Sequence, residues 1–507
     1  MNFSSQIHTL YHSGNEEKKL HALAEMQTEG SCDLIYCLLH ALQQSHNTSV
    51  RDIIVDTIIH LFRKNMYPRQ LYQTLNSCQI SLADVDFFEV SFDQQRLTYL
   101  LIISSLNENG YVREKAVRKL ADTKDTEALP FLIQRLADWV TPVRQAAEAA
   151  VIAYLHAGKA KAFIMNLPLL DWLQRVERVD LTDTRDAILD YLTGRARSVC
   201  MAQFPRLPVK HRVLLARYLV ASYVHREELL TFMADRYPLV RQVAAAHMEH
   251  LQPEDIIRLL QDKSPHIRLP VLRKLHQQRP DFSLLPFTAD PAAGIRDFAR
   301  YYLKDKGIDI TAFYLDQLQQ GQQLPGSLLG LAEADARQHA GTVARFLHHP
   351  VLRVAKAALI ALKKLDDTAF YEHCLAHMDH PVPGFRHIIL DYLSRRANHT
   401  VLQKARAHYA AGTTGLKLSM LQFFSHTGGW NVAADLMLGT IDPDVAVRDY
   451  SLAAVRHWQQ RSVYLFSPLS DADRDRTRTI LRFATEMHDQ HQYFTENPLR
   501  GLAFYFP

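Results

Sequence analysis

The side chains best suited to chemistry in this sequence cluster between positions 372 and 387: Glu372, His373, Cys374, His377, Asp379, His380 and His387. His373 and His377 stand four apart and would share one helix face, a spacing at which imidazoles bind borderline metals. The competing reading is a pair of histidines near a helix C-terminus, where positive charge is tolerated. His348 and His349 hold an equivalent place earlier in the chain, which favours a repeated structural role. The expectation is no bound metal, with His373 and His377 as the residues to test. Other recognisable chemistry is missing. There is no GxxxxGK[ST] loop, no GxGxxG after a strand, no HExxH and no GxSxG elbow. The cysteines, at 32, 37, 78, 200 and 374, are odd in number and irregularly spaced, which implies neither a disulfide framework nor a zinc site. The chain is expected to use no cofactor and to have no catalytic site.

What the sequence does have is repetition. An acidic residue, a short turn often holding Pro, and an apolar residue followed by Arg open an alanine-rich segment. The pairs are Asp138 and Arg144, Asp235 and Arg241, Asp262 and Arg268, Asp290 and Arg296, and Asp442 and Arg448, each with the acid six residues before the Arg. Asn107 precedes Arg113 at the same spacing, and His380 precedes Arg386. Weaker copies continue the column at Arg51, Arg185, Arg212, Arg353 and, as a substitute, Lys417. One copy near Gly326 has lost its Arg, and one repeat is obscured over 81–95. A step of about 30 residues is that of a two-helix solenoid unit, giving about sixteen units in the chain.

Each unit reads as two helices. Over 126–137, Leu129, Leu132, Ile133 and Leu136 make the i, i+3, i+4, i+7 stripe of an amphipathic helix. Pro142 then stands at a helix start, where its missing N–H costs nothing. Val143, Ala146, Ala147, Ala150 and Val151 form the buried stripe of the second helix. Strand signals are absent. The fold class is therefore all-α, a right-handed solenoid of antiparallel helix pairs.

This pattern resembles the HEAT-repeat family, in its bacterial lyase-like variety. The resemblance is carried by the Asp-x5-Arg spacing with Pro in the turn, strongest over 107–456. It implies that the acids and arginines form a ladder between successive repeats. It also implies that the second helices line a concave face. On those helices, five residues past the Arg column, lie Arg118, Arg217 and Arg273; one further lie Lys119, Tyr191, Tyr218, His247, Lys274, Tyr302 and Tyr392. Such a mixture suits a protein partner held by Tyr and Arg, or a nucleic acid tracked and stacked. The alternative for the tyrosines is packing between helices with only the hydroxyl in water. Asp190 and Asp391 interrupt the basic column. Family members with iron hydroxylase activity carry His-Glu dipeptides, which this chain lacks. A branch that excises DNA bases has a groove lined by Trp and Asp; here Trp139 and Trp172 adjoin Asp138 and Asp171. The resemblance further admits toxin-neutralising or secretion-assembly roles, which no residue singles out. The leading expectation is a non-enzymatic adaptor or scaffold with a protein partner; the alternative is a nucleic-acid binder.

Composition fits a repeat array. The chain has 507 residues, 47% hydrophobic and 22% charged, with 18 Gly and 21 Pro, too few for a turn-rich all-β protein. A net charge of +4 does not by itself indicate nucleic acid. Residues 1–110 hold seven Lys and Arg against twelve Asp and Glu, and 205–300 hold fifteen against ten, which could steer an anionic partner. No signal peptide is legible from Met1 and Asn2 onward, and the most apolar run, 97–106, is too short to span a bilayer. A cytoplasmic protein without a membrane partner is expected. The expected divisions are degenerate helical repeats over 1–106, regular repeats over 107–456, a helical repeat or cap over 457–491 and an aromatic tail over 492–507. The tail reads as a cap on an apolar edge or as a docking peptide.

Overall fold

A computed structural model describes residues 3–64, 75–156, 158–462, 464–465, 470–491 and 493–506. Met1, Asn2, Gln492 and Pro507 lie outside the described residues. Helices follow one another along the chain, and no strand occurs among the described residues. The protein is an all-α helical-repeat array.

The pair at 126–156 shows how the sequence builds a unit. Asp125 caps the start, its carboxylate accepting the Glu127 N–H at 3.0 Å. The first segment is a short 3-10 turn, Thr126–Ala128, followed by the α-helix Leu129–Arg135 with Pro130 in its first turn. Leu129, Leu132, Ile133 and Leu136 are buried, as the stripe requires. The second helix, Thr141–His156, buries Val143, Ala146, Ala147, Ala150 and Val151 against its own first helix and against Gly110–Thr123 of the preceding unit. Alanine methyls let these second helices approach closely, so the core runs from unit to unit.

Contacts divide the chain into two units, Met1–Pro280 and Asp281–Pro507. In the first, Val209–Ser222, Pro238–Ala246 and Pro265–Gln278 stack in order. In the second, Pro383–Ser394, Thr414–Thr427 and Val445–Ser462 do the same. The segment 81–95, which hides its repeat in the sequence, is ordinary in structure. Ser81 and Asp84 form a reciprocal capping box on Leu82–Ser91, and Asp93 caps Gln94–Ser104. The apolar run inside that last helix is buried on every side from Thr98 to Ser104.

The copy near Gly326 without its Arg packs differently. A Cβ on Gly326 would lie 1.7 Å from the Ala289 carbonyl oxygen, and one on Gly330 2.4 Å from the Tyr314 ring. The helix Leu324–Glu333 therefore depends on glycine for a close approach to its neighbours.

The tail folds back on the preceding helices. Phe506 stacks on Trp458 at 5.9 Å and meets Trp430 edge-on at 5.8 Å. Leu499 and Leu502 are buried, and the Arg478 Nε–H donates to the Phe506 carbonyl at 3.0 Å. Phe504 stays exposed.

Candidate functional site

The Asp and Arg columns meet in a two-sided arrangement. In the clear copies the Arg first ties its own turn: its Nη1 donates to the backbone carbonyl of the residue six before it, while Arg212 reaches the Leu207 carbonyl, five before it. The distances are 2.9 Å for Arg113 to Asn107, Arg144 to Asp138 and Arg241 to Asp235. They are 2.5 Å for Arg268 to Asp262, 2.8 Å for Arg296 to Asp290, 2.8 Å for Arg386 to His380 and 2.7 Å for Arg448 to Asp442. The rest of the guanidinium is turned to the next unit. Arg113 makes a bidentate pair with Asp138 (3.0 and 2.8 Å), and Arg241 with Asp262 (2.6 and 2.8 Å). Arg212 reaches Asp235 at 2.7 Å, and Lys417 reaches Asp442 at 2.8 Å.

The acid has a second task. One carboxylate oxygen accepts the amide two residues on: Val140 to Asp138 at 3.0 Å, Tyr237 to Asp235 at 2.8 Å, Ser264 to Asp262 at 2.7 Å, Ala292 to Asp290 at 2.7 Å and Asp444 to Asp442 at 3.0 Å. This turn bond explains why Asn107 can substitute, and also histidine. The Val382 amide donates to His380 Nδ1 and the Val351 amide to His349 Nδ1, each at 3.1 Å. An imidazole in that role must keep a lone pair on Nδ1. Burial holds His380 below the ordinary histidine range, in keeping with a neutral ring. Asp138, Asp262 and Asp442 sit below the usual carboxylate range: desolvation opposes ionisation there, and the facing Arg or Lys together with the turn amide outweigh it.

The ladder also has interruptions. Arg144 makes no ion pair among the described residues and bonds instead to the Thr141 hydroxyl at 2.9 Å. Arg386 ends on the Ser419 hydroxyl at 2.9 Å. Arg296 pairs with Glu333, which Arg300 also holds. A further set of rungs went unread in the sequence. Arg197 pairs with Glu228, Arg226 with Asp255 and Arg406 with Asp435, linking successive first helices. Their separations of 31, 29 and 29 residues match the repeat step, which is the signal that could have found them.

The candidate binding residues fall into unlike environments. Lys119 is paired with Glu89, and Lys274 with Glu249 at 2.5 Å and with the Ala246 carbonyl at 3.2 Å. Arg118 is exposed and bonded to Glu114 on its own helix. Arg217 is exposed and makes no ion pair among the described residues. Beside it Tyr218 is half-buried, its hydroxyl 3.4 Å from Gln174 Nε2. Arg273 is exposed, and His247 lies 3.9 Å from Glu249. Tyr191 is half-buried, edge-on to Phe163. Tyr302, in the second unit, is 43% exposed and packs on Phe298 and Tyr301. Tyr392 does not belong with them as a surface residue. It is 1% exposed, its ring packs on Phe370, and its hydroxyl donates to Asp367 at 2.7 Å. The hydroxyls of Tyr154 and Tyr314 likewise bond to backbone carbonyls of earlier turns. Asp190 and Asp391 are exposed and half-open respectively on their second helices.

The histidines at 348, 373 and 377 do converge. Ring centroids lie 4.3 Å apart for His373 and His377, 6.1 Å for His348 and His373, and 5.8 Å for His348 and His377. His377 Nδ1 is engaged by the His373 carbonyl at 2.9 Å. Among the described residues no group of three His, Cys, Asp or Glu side chains is arranged to hold a metal ion. Burial and the neighbouring histidines push His373 down to about 4.

The last feature is a cavity of about 720 Å³ in the first unit, beside the Arg113–Asp138 rung. Trp139, Trp172 and Leu169 supply its apolar walls; Arg113, Arg135, Arg178, Glu108 and Asp138 its charges. Trp139 and Trp172 thus share one cavity with Asp138. Asp171 does not join them, and pairs with Arg175 at 3.0 Å.

No family model matches the chain, and no curated protein matches it. Among solved structures, a Kap121p mutant is similar at 11% identity and a TM-score of 0.35, over 98% of this chain and 64% of that one. Uso1-2 is similar at 12% identity and a TM-score of 0.26, over 97% of this chain and 89% of that one. The chain therefore spans less than two thirds of the Kap121p chain.

Proposed function

We propose that this chain is a non-enzymatic binding protein, a helical-repeat scaffold of HEAT type that presents its second helices to a protein partner. The observation that carries this reading is the state of the basic column. Lys119 and Lys274 are already neutralised by Glu89 and Glu249, so they make a poor track for phosphates. Arg217 makes no ion pair among the described residues and stands beside the amphipathic Tyr218, and Tyr302 is exposed in the second unit. Arginine with tyrosine is the composition of a protein hot spot. The ladder residues are assigned to stability, because their hydrogen-bonding capacity is spent inside the fold. Lyase-like character rests on the six-residue Asp-to-Arg spacing and on the turn geometry that uses it.

Reversing Arg217 and Arg273 together to Glu tests the reading. Helical content should be unchanged and capture of the natural partner weakened. Tyr218→Ala or Tyr302→Ala should cost at least as much as the charge changes. Undiminished capture by the double reversal would refute the assignment. Capture that nuclease abolishes and that falls steeply with salt would replace the protein partner with nucleic acid, through counterion release.

A further inference from the structure

The cavity beside the Arg113–Asp138 rung is not used by the scaffold reading, and its chemistry is specific. About 720 Å³ is within the range of small-molecule sites, roughly 300–1,000 Å³. Trp139 is 80% exposed, a large apolar surface left in water on a turn that the ladder holds rigidly. The Arg178 guanidinium lies over its ring at 4.7 Å and also donates to the Ala137 carbonyl, so a cation and an aromatic face stand side by side in the lining. Trp172, 36% exposed, and Leu169 add to the apolar walls.

The charges decide the sign of a ligand. Asp138 accepts four hydrogen bonds, two from Arg113, one from Arg135 and one from the Val140 amide. A carboxylate offers about four acceptor sites, so Asp138 has none left for a ligand. The lining holds three guanidiniums, of Arg113, Arg135 and Arg178, against two carboxylates, of Asp138 and Glu108, an excess of one positive charge. Arg178 is exposed and has five N–H donors in all, one of which goes to the Ala137 carbonyl; the others meet no acceptor among the described residues. The amides of Asn76, Asn107 and Gln134 complete the polar lining.

We propose that this cavity binds a small planar aromatic anion, its ring against Trp139 and Trp172 and its carboxylate or phosphate on Arg178. The site is independent of the partner surface around Arg217 and stands or falls separately from it.

Calorimetric titration of the full chain with naphthalene-2-carboxylate, 1-naphthyl phosphate and neutral 2-naphthamide tests the assignment. Saturable binding of at least one anion is expected, with the amide at least tenfold weaker. The ratio of the two anions tells a carboxylate source from a phosphate source. Trp139→Ala and Arg178→Gln both change exposed side chains, and circular dichroism checks that each variant folds. Each should weaken the preferred anion at least tenfold, and Arg178→Gln should abolish the preference over the amide. No saturable binding of either anion into the millimolar range overturns the proposal. So does binding that both variants leave unchanged, or an amide that binds as well as the anions.

Discussion

At the scale of single residues, one guanidinium serves two units. Arg241 holds its own turn through the Asp235 carbonyl and the next turn through the Asp262 carboxylate. Removing the carboxylate strands a largely buried charge and frees the Ser264 amide. Asp262→Ala should therefore lower unfolding stability by about 1–3 kcal/mol in denaturant titration. An Arg241→Ala, Asp262→Ala double-mutant cycle should return a coupling of about 0.5–3 kcal/mol. A coupling of zero would mean that the rung is ornamental. The turn columns were legible because their bonds are local: a carbonyl six residues back and an amide two residues on recur in the clear copies, as at Asp138 and Arg144, Asp235 and Arg241, and Asp262 and Arg268. Glu333 and Asp435 were not legible in that way, since they meet Arg296 and Arg406 across units from positions the turn motif does not mark.

The same residues set the acid response. Asp138, Asp262, Asp442 and Glu333 have folded values below their unfolded ones. Their contribution is complete above the unfolded carboxylate range and is lost as pH falls through the lowered folded values. His373 acts in a higher window. Its folded value is about 4 against an ordinary 6.5, so the unfolded chain takes up a proton first as pH falls between those values. Stability should decline across that interval, and His373→Gln should flatten the decline. An unaltered slope in the variant would exclude His373 as the titrating group.

At the scale of elements, helix pairing follows from the apolar stripes, and structure differs from pattern where backbone geometry intervenes. The segment 126–137 begins as a 3-10 turn before it becomes α-helical. The unit at 81–95 is obscure in sequence because it lacks the acid six residues before an Arg, with Val90 at that place before Arg96, yet two local caps define its helices. The tail was readable as a cap or a docking peptide, but its partners Trp430, Trp458 and Arg478 were not, since they are distant in sequence. Phe506→Ala should cost about 3–5 kcal/mol in the second unit if the site cannot collapse. It should also shift tryptophan emission to the red, because Trp458 loses its stacking partner. Unchanged emission and stability would show that the tail does not cover that surface.

At the scale of the whole molecule, a helical-repeat array was legible from the step of the Asp and Arg columns, and none of the described helices is long and apolar enough to cross a membrane. The working surface was less legible. Sequence register put Arg118, Lys119, Lys274 and Tyr392 in one class with Arg217, but register does not reveal which of them are spent on Glu114, Glu89, Glu249 and Asp367. The scaffold role requires a protein partner held at Arg217 and Tyr218. The most direct test is capture from native lysate on the immobilised full chain, with and without nuclease, beside an Arg217→Glu, Tyr218→Ala variant. One stoichiometric protein that survives nuclease and disappears with the variant is expected. Capture that nuclease abolishes, or that the variant retains in full, would contradict it.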